Sequence, residues 1–523
     1  MHTSPPASET QQANLFEVSQ EGQSAFQIPA SLSIVGISKS GQAAARLAVA
    51  RGVRSILLSD DNPKASLTDD TLASQLKIEV GYHEALWHHA EHVVLSPGIP
   101  PHSELVFRLQ QGGFTLWSEP DWAFLNQPPH VRSWITVTGT NGKSTITSLV
   151  AHILNHLHPS IHAVACGNIG LAVSEVIQSA LTDTQAIQPV VELSSYQLHY
   201  STTLAPAIGI FSNLTPDHLA WHGGLNAYAE AKAKLFIGDL ACRYAVINLD
   251  DPLGMQWATH RSGSHTLGIH SKPHALVGLP VPQLFVNSQG IIELFTPPEF
   301  AEDLRHLQGF NILRLPRSAY VEQGGHHTQN ALLALGAVLW RAFWDESPFA
   351  SEHALPLQEA FRSFKGLAHR FQRLDVPHPF QAINDSKATN PEAGMAALNG
   401  LAPDEKAILL VGGRAKKTPL HDWARLASEK ASVIYCYGED AHDFVEALKR
   451  FASSVPNVAT PYFEVETLDE AVALALAFQQ ENPEAVLLLA PACASQDAFT
   501  DFEHRGRYFE ALVLEFFKTK SLT

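Results

Sequence analysis

The chain has 523 residues, and because a typical domain has about 150 residues, roughly three to four domains are expected. Hydrophobic residues make up 45% and charged residues 17% of the chain, which excludes a mainly disordered polyelectrolyte. The formal net charge of −17 provides no global positive field for nucleic acid or an anionic membrane, so any anionic ligand has to be bound by local cations.

The four cysteines lie far apart without a CxxC pair, so we expect neither a zinc ribbon nor a disulfide framework. The N-terminus lacks a basic stretch followed by an apolar one, and no run of about 18 apolar residues occurs. We therefore expect a cytoplasmic protein that is not exported and does not cross a membrane. The net negative charge argues against nucleic-acid binding. A monomer is expected, while the oligomeric state stays open at the level of sequence.

A polar extension rich in Pro, Ser and Gln, residues 1–30, precedes the first predicted domain, residues 31–128. The segment SLSIVGISKSGQAAARLAVARGVRSILLSDD predicts a strand, a turn at Gly36–Gly41, an Ala-rich helix and a second strand that ends at Asp60. Further elements are predicted in HVVLSPGIP and GFTLWSEPDWAFL, before a proline pair. The pattern is that of a Rossmann-like βαβ domain.

Two further α/β domains are predicted, at residues 129–367 and 368–523. The central one begins with SWITVTGTNGKSTITSLVAHILNHL, includes a β-rich, Pro-containing part at residues 265–315 typical of an inserted or edge sheet, and ends with a long helix in HHTQNALLALGAVLWRAF. The last one has buried-type strands in KAILLVGG, SVIYCYG and AVLLLAPA. The predicted fold class is α/β, with a mostly parallel central sheet between two Rossmann-like domains.

The most specific motif is TGTNGKST, residues 138–145, between an apolar strand and a helix. A glycine turn there presents backbone N–H groups and a helix N-terminus to phosphate oxygens, while Lys143 can reach the β- and γ-phosphates and the Ser144 hydroxyl can bind Mg²⁺. Position 137 is Val, where the general phosphate-loop pattern has Gly. An ordinary glycine turn is the alternative, but the strand–GKST–helix context favours ATP or GTP binding.

Five other residues could serve the same chemistry, and each has an ordinary structural alternative. Glu192 follows an apolar strand and could bind Mg²⁺ or be a solvated rim residue. His218 lies in a turn and could bind a metal or merely pack, while Lys232 on the next helix would in isolation be a solvated lysine. Asp385 and Lys387 could orient phosphates across a cleft or cap the following helix.

Six motifs follow one another along the three predicted domains: TGTNGKST, ELSSYQL, NLTPDHL, LAHRF, NDSKATNP and APACASQDAFTDFEHRG. Together they resemble the bacterial Mur ligases, over essentially the whole chain from residue 30 to residue 510. NDSKATN and ACAS…DFEHRG resemble the branch that adds D-glutamate, and the DNPR-like element of the lysine- and diaminopimelate-adding branches is absent from the last domain. The resemblance implies an ATP-dependent ligase that joins D-glutamate to UDP-N-acetylmuramoyl-L-alanine through an acyl phosphate, for peptidoglycan synthesis.

The resemblance also implies a nucleotide and metal site with ATP and two Mg²⁺ ions. The loop residues would be Gly139, Thr140, Asn141, Gly142, Lys143, Ser144 and Thr145. Ser144 and Glu192 would hold the first ion, and His218 and a carbamylated Lys232 the second. Asn330 would face the adenine, and Arg370, Asp385 and Lys387 would close the last domain over the nucleotide. Lys143, Glu192, His218, Lys232 and Lys387 are the catalytic candidates.

Three substrate regions are implied in the same way. The turns containing Ser38, Ser40, Gly41 and Ser96 would receive the uridine diphosphate, which makes the first domain the UDP-binding one. The muramoyl-alanine part would meet Asn168, Ser194 and Gln197. The glutamate would be bound in the last domain by Thr389, Lys416, Ser495 and Phe502.

Two positions depart from the family pattern, and two alternative functions stay open. His327 stands where the family usually has Asn, and residues 59–61 (Ser-Asp-Asp) stand where a basic or hydroxyl residue often meets the uridine.

A folylpolyglutamate-synthase-like ligase is one alternative function, and the βαβ block before residue 128 argues against it. The other is a nucleotide-binding module or dinucleotide dehydrogenase, for which GISKSG is a poor GxGxxG motif.

Overall fold

The structure is a computed structural model that describes residues 26–67, 70–81, 83–261, 263, 265–271, 279–289, 291–300, 302, 325–344, 353–415, 419–455 and 460–520. These residues form three successive α/β units, each built on its own sheet. The predicted α/β fold class is confirmed, whereas the domain boundaries near residues 128 and 367 stay predictions. Most of the predicted N-terminal extension lies outside the described residues. Within the described ranges, no helix is both long enough and apolar enough to cross a membrane.

The first unit is a parallel sheet in the order β3-β2-β1-β4-β5. Its strands are β1 (Ser31–Val35), β2 (Ser55–Asp60), β3 (Lys77–Val80), β4 (His92–Leu95) and β5 (Thr115–Ser118). Its helices are α1 (Lys39–Ala50), α2 (Asp70–Ala73), α3 (Leu86–His89), α4 (Glu104–Gln111) and α5 (Glu119–Leu125). The predicted strand–turn–helix–strand unit that ends at Asp60 is confirmed. The strand order reverses between β1 and β4, which is where open α/β sheets bind ligands.

The central sheet has the order β13-β12-β11-β10-β9-β6-β8-β7 and is parallel except for the β12–β13 pair at its edge. Its strands are β6 (Ile135–Thr138), β7 (His162–Gly167), β8 (Ile187–Glu192), β9 (Ile208–Phe211), β10 (Tyr244–Asn248), β11 (Thr266–His270), β12 (Gln283–Val286) and β13 (Ile292–Phe295). The predicted edge sheet within residues 265–315 is therefore confirmed for the strands that the structure describes.

The helices of the central unit pack on both faces of this sheet. They are α6 (Lys143–Leu157), α7 (Val173–Ala180), α8 (Ser195–Tyr200), α9 (Leu219–His222), α10 (Leu225–Ala233), α11 (Pro252–Arg261), α12 (Gly325–Trp344) and α13 (Ala354–Ser363), with a 3₁₀ turn at Pro298–Phe300. The predicted long helix is α12, in which residues 331–342 are all buried. Its Trp340 indole N–H donates to the Ala245 carbonyl of β10 at 3.0 Å. Apart from Arg341, whose guanidinium donates to the Gln188 amide oxygen at 2.9 Å, this stretch is apolar on every face and forms the centre of a core.

The third unit has the strand order β14-β15-β19-β16-β17-β18, with only the edge strand β14 antiparallel among those described. Its strands are β14 (Gln372–Arg373), β15 (Gln381–Asn384), β16 (Ala407–Gly412), β17 (Ala431–Tyr437), β18 (Tyr462–Glu464) and β19 (Val486–Leu489). Its helices are α14 (Pro391–Gly400), α15 (His421–Lys430), α16 (Ala441–Ser454), α17 (Leu468–Glu481) and α18 (Phe502–Lys520). The three buried strands predicted from KAILLVGG, SVIYCYG and AVLLLAPA are confirmed.

All four cysteines are free and buried, so the expected absence of a disulfide framework agrees with the structure. Cys166 and Cys242 lie in the central unit, and Cys436 and Cys493 lie in the third. Burial raises the pKa of each thiol above its ordinary value. The thiols are therefore kept in the neutral, unreactive form.

Buried polar contacts attach the first unit to the central one. The Asp121 carboxylate, which is fully buried, accepts hydrogen bonds from the Thr203 N–H at 2.9 Å and hydroxyl at 2.8 Å. Arg46 of α1 makes a 2.7 Å ion pair with Glu175 of α7. Buried hydrogen bonds to a charged group, such as those of Asp121, are costly to break. The Arg46–Glu175 pair, which is partly exposed, adds a second contact, so the two units are joined at this interface.

The Glu119 carboxyl group in the same interface has a higher proton affinity than an ordinary glutamate. Its side chain is 2% exposed and accepts a 2.6 Å hydrogen bond from the Ser174 N–H, while its other oxygen has no partner among the described residues. Burial raises the pKa of Glu119 from 4.5 to about 7, against the opposing hydrogen bonds of Ser174. The folded protein therefore binds this proton more tightly than the unfolded chain does.

We predict that Glu119→Gln makes the protein more stable than the wild type at pH 8. Because the native pKa lies above the unfolded one, the wild type loses stability as the pH rises from about 4.5 to about 7, and Gln removes a penalty of up to about 3 kcal/mol. The gain should shrink towards pH 5. Urea denaturation at both pH values measures it, with the exposed Glu84→Gln as the control. An identical pH profile for the wild type and Glu119→Gln contradicts the prediction.

Candidate active site

The loop between β6 and α6 requires glycine at two positions. Gly142, which precedes α6, has φ +83°, and a Cβ there would come within 2.6 Å of the Asn330 amide oxygen. Gly139 has φ +148°, and a Cβ there would collide with the Ser212 hydroxyl. L-residues with side chains rarely adopt such positive φ angles. The loop is therefore tightly enclosed, and Asn330, the predicted adenine contact, lies directly against it.

Residues from the segment after β9 and from helix α10 hold this loop in place. The Asn141 N–H donates to the Asn213 amide oxygen at 2.8 Å, and the Thr140 hydroxyl lies 2.9 Å from the Tyr228 hydroxyl. The Lys143 amine donates to the Thr140 carbonyl at 2.8 Å, so it lies over the loop where a phosphate would bind. Asn213 and Tyr228 were not predicted as site residues, although Asn213 begins the NLTPDHL motif.

The predicted metal residues Ser144 and Glu192 are in direct contact. The Ser144 hydroxyl donates to one oxygen of the Glu192 carboxylate, and the Asn168 amide donates to the other at 2.9 Å. Glu192 is 2% exposed. Glu192 is therefore not a solvated rim residue. Asn168, which was predicted as a substrate contact, hydrogen-bonds to the Glu192 carboxylate in this structure. Thr145 follows Ser144 in the first turn of α6.

A cation from the third unit reaches the same serine. The Arg370 guanidinium donates to the Ser144 hydroxyl oxygen at 2.6 Å, although the two residues are 226 positions apart. The central and third units thus meet at the phosphate loop, as a nucleotide site shared between the two predicted domains requires. Because a guanidinium is always protonated, it provides a fixed positive charge beside the loop.

Asp385 and Lys387 lie in the segment after β15, next to Arg370. Desolvation, followed by the nearby Arg370 charge, lowers the pKa of the Lys387 amine to about 8. Desolvation raises the pKa of Asp385 to about 7, against a hydrogen bond from Phe371 and the attraction of Arg370. The Lys387 amine also lies 3.9 Å from the centroid of the Phe502 ring. Neither residue is a simple helix cap, because the side chain that caps α14 is Asn390.

Lys232 on α10 is buried rather than solvated. It is 1% exposed, and its amine donates to the Gly139 carbonyl of the phosphate loop at 2.7 Å. Burial, and then the charge of Lys143, lowers its pKa well below the ordinary value, against the attraction of Asp217 and Glu192. The neutral amine is therefore favoured. A neutral amine is the form that can act as a nucleophile.

His218, which immediately precedes α9, has a strained backbone. Its φ is +55°, in the left-handed region that disfavours residues with side chains. Its Nε2 lies 3.5 Å from the Asp217 carboxylate, and its ring packs on Tyr196 with centroids 4.8 Å apart. Strain of this kind persists where the surroundings hold a residue in a special position. Asp217 precedes His218 in the NLTPDHL motif, and the structure adds its carboxylate to the charges that act on Lys232.

The predicted uridine-diphosphate turns meet at the carboxyl ends of β1 and β4. The Ser38 hydroxyl lies 3.0 Å from that of Ser40 and 3.5 Å from that of Ser96. Gly41 packs so closely on the Gly36 carbonyl that a Cβ would collide with it. The Asp60 carboxylate accepts from the Ile37 N–H at 2.7 Å, which ties the end of β2 to the turn.

The remaining predicted substrate residues differ in their surroundings. Ser194 and Gln197 form a capping box on α8, with the Ser194 N–H donating to the Gln197 amide oxygen at 2.9 Å. Thr389 and Phe502 lie near Lys387, and the Ser495 hydroxyl is buried without a partner among the described residues. The Lys416 position and the His327 side chain lie outside the described residues, so their predicted roles stay predictions.

The fold and this arrangement define a class: α/β proteins of three units with a phosphate-binding loop facing a cation from the last unit. The family models for the Mur ligase middle domain and the Mur ligase glutamate ligase domain match residues 137–292 and 369–493. A UDP-N-acetylmuramoylalanine–D-glutamate ligase from Synechococcus sp. (strain JA-2-3B'a(2-13)) is 33% identical over 510 residues, which cover 91% of this chain and 97% of that protein. The chain belongs to the Mur ligase family.

Two further comparisons agree with this membership. A UDP-N-acetylmuramoylalanine–D-glutamate ligase from Gloeothece citriformis (strain PCC 7424) is 32% identical over 497 residues, which cover 92% of this chain and 99% of that protein. A crystal structure of MurF from Acinetobacter baumannii has a TM-score of 0.53 at 15% identity and covers 93% of both chains, a likeness of fold. The family resemblance found in the sequence motifs is confirmed.

We predict that Glu192→Gln weakens Mg²⁺-dependent ATP binding by about tenfold or more, because the amide keeps an acceptor for Ser144 but loses the negative charge that a divalent cation needs. Titration calorimetry with ATP and Mg²⁺ measures the loss. ATP binding in EDTA should change much less, and Glu230→Gln on the exposed side of α10 serves as the control. Equal losses with Mg²⁺ and with EDTA would contradict a role at the metal.

Proposed function

We propose that the chain is an ATP-dependent ligase that joins D-glutamate to UDP-N-acetylmuramoyl-L-alanine. The observation that carries the proposal is the Ser144 hydroxyl, which contacts Glu192 at the end of β8 and Arg370 of the third unit. A phosphate loop, an acid and a cation from another unit thus share one point, as phosphoryl transfer in a cleft requires. The two relatives whose names state this activity support the choice of substrates.

The reaction needs activation, because a carboxylate is a poor electrophile towards an amine. First, an oxygen of the alanyl carboxylate attacks the γ-phosphorus of ATP, the bond to ADP breaks and an acyl phosphate forms. The amine of D-glutamate then attacks the acyl carbon, loses a proton, and phosphate leaves. Lys143, Arg370 and Lys387 are the cations placed to offset the charge on the transferred phosphoryl group.

The Ser144 and Glu192 oxygens suit Mg²⁺, which prefers hard oxygen ligands and commonly shares them with phosphates and water. When bound, the ion would supply charge neutralisation and orientation of the phosphates. Within the described ranges, no group of three His, Cys, Asp or Glu side chains could hold a metal ion, so phosphate oxygens would complete the site. We assign one ion to Ser144 and Glu192 and a second to His218 and a carbamylated Lys232.

Lys232 has the environment that carbamylation requires. Burial favours its neutral amine, which attacks CO₂, forms an N–C bond and releases one proton. The product is an anion with two oxygens. Lys143, whose charge opposes protonation of Lys232, would attract that anion. The modification thus reverses the sign of the charge next to the phosphate loop.

The substrates would lie along the carboxyl edges of the three sheets. The hydroxyls of Ser38, Ser40 and Ser96, with Gly41, would receive the diphosphate, and Asn330 the adenine. Asn168, Ser194 and Gln197 lie on the central unit, at the place assigned to the muramoyl-alanine part. The glutamate would be held by Thr389, Lys416, Ser495 and Phe502 in the third unit. Asp385 would keep its place beside Arg370 and Lys387.

We predict that ADP release requires UDP-N-acetylmuramoyl-L-alanine and D-glutamate together, because the acyl phosphate forms on the first and is consumed by the second. A coupled ADP assay with each substrate omitted in turn measures this, with mass spectrometry of the product. L-Glutamate in place of D-glutamate is the matched control and should give at most about 1% of the rate, since opposite handedness misplaces the amine. Equal rates with both enantiomers, or turnover without the UDP-substrate, would overturn the proposal.

We predict that Lys232→Ala lowers turnover by about a hundredfold or more, because it removes the carbamate oxygens. Acetate at high concentration should restore part of the activity by supplying a carboxylate at the same place. Glu230→Ala, an exposed change on the same helix, controls for damage to α10. A fully active Lys232→Ala enzyme, or electron density that shows an unmodified Lys232 beside two bound metal ions, would refute carbamylation.

A further inference from the structure

Arg505 is a buried cation that forms no ion pair within the described residues. It lies in the first turn of α18, its side chain is completely buried, and none of the described carboxylates forms an ion pair with it. Removing a guanidinium from water without a counter-ion is unfavourable. The surroundings therefore have to stabilise the buried charge. The unfavourable free energy of burying it suggests that the charge serves a function.

The guanidinium is satisfied by hydrogen bonds to four residues. Its Nε donates to the Ser386 hydroxyl at 3.0 Å, and Nη2 donates to the Ser386 carbonyl at 2.8 Å and the Cys493 carbonyl at 3.0 Å. Nη1 donates to the Ala494 carbonyl at 3.3 Å and the Gly412 carbonyl at 3.4 Å. All five acceptors are neutral, so the N–H groups are satisfied without an ion pair. The charge acts on Asp385, whose pKa the Arg505 charge lowers against the larger effect of burial.

These partners lie at the ends of three neighbouring strands. Ser386 follows β15, Cys493 and Ala494 follow β19, and Gly412 ends β16. In the sheet order, β19 lies between β15 and β16, and all three run parallel. The carboxyl edge of a parallel sheet is where such folds bind ligands. One side chain thus joins the three loops of that edge.

The same loops carry the residues assigned to the amino-acid substrate. Ser495, whose buried hydroxyl has no partner among the described residues, directly follows Ala494. The Ser386 hydroxyl donates to the Phe502 carbonyl at 2.8 Å, and Thr389 lies three residues further along the chain. Moving Arg505 would therefore displace the walls of the proposed glutamate site.

We propose that Arg505 is a positioning residue for the amino-acid substrate, which it affects in two ways. It holds the loops after β15, β16 and β19 in one arrangement, and its charge adds a positive potential beneath a ligand that carries two carboxylates. Because the side chain is fully buried, it does this without touching the substrate. This inference rests on the proposed function, in that glutamate is the ligand.

The test compares Arg505→Lys with the wild type and with Arg507→Lys, an exposed change on the same helix. Lysine keeps the charge but offers only three donors from one point, so it cannot bridge the three loops. We expect the KM for D-glutamate to rise by about tenfold or more, while the KM values for ATP and the UDP-substrate stay within about twofold. Equal rises for all three substrates, or none, would overturn the inference.

A second variant separates charge from bracing. Arg505→Met has a similar length without charge, and its KM for D-glutamate should exceed that of Arg505→Lys by a further factor of about three or more, because the potential is lost as well. Should Arg505→Met fail to fold in a thermal unfolding check, Arg505→Gln replaces it in the charge comparison, and the bracing is tested separately with Ser386→Ala. That variant removes the acceptor of the Nε–H and should raise the same KM, and an unchanged value would contradict the bracing role.

The proposed function can fail separately from this inference. If the wild type releases ADP with D-glutamate but Arg505→Lys has an unchanged KM, the function stands and the inference is wrong. If the wild type is inactive with every substrate combination, D-glutamate binding is measured directly by calorimetry. Weaker D-glutamate binding by Arg505→Lys than by the wild type then supports the inference, and equal binding or no binding to either overturns it.

Discussion

A single hydroxyl group, that of Ser144, links the parts of this molecule that have to act together. It donates to Glu192 and accepts from Arg370, so the first turn of α6, the end of β8 and the third unit meet at one oxygen. Without the third unit, Glu192 would keep its contacts with Ser144 and Asn168, but the Arg370 charge would be missing from the site. The geometry of the site therefore depends on how the third unit is seated, and a small displacement there would affect every group around the phosphates.

The net negative charge of the chain opposes the binding of anionic ligands, so the proposed site needs local positive charges. A chain with a net charge of −17 has to hold ligands that are themselves strongly anionic. The cations available for this include Arg370, which reaches Ser144 from the third unit, and Lys387 and Lys232, which burial brings closer to neutrality than exposed lysines are. Charges in a partly desolvated cleft act more strongly than the same charges on the surface. The negative net charge of the protein thus has little effect on the potential at the proposed phosphate site.

The local elements of the fold could be predicted from the sequence, and the contacts between them could not. The strand that ends at Asp60 and the loop before Lys143 are local patterns of period and glycine, which short segments contain. The burial of Glu192 and Lys232 depends on distant segments, so isolated sequence reasoning favoured solvated side chains for both. Arg505 lies in a recognised motif, yet nothing local indicates that its charge is buried unpaired. The resemblance to the family predicted that these residues belong to one site, which the hydrophobic periodicity of the sequence could not predict.

The four buried thiols can report local unfolding of the protein through their reaction with a thiol reagent. Cys166 and Cys242 lie in the central unit and Cys436 and Cys493 in the third, so a thiol reagent can react only after one of the two cores has opened. Labelling rates resolved by peptide mapping would thus give separate opening free energies for the two cores in the native enzyme. No introduced probe is needed, and ligands that bind one unit would be seen to protect that unit's pair.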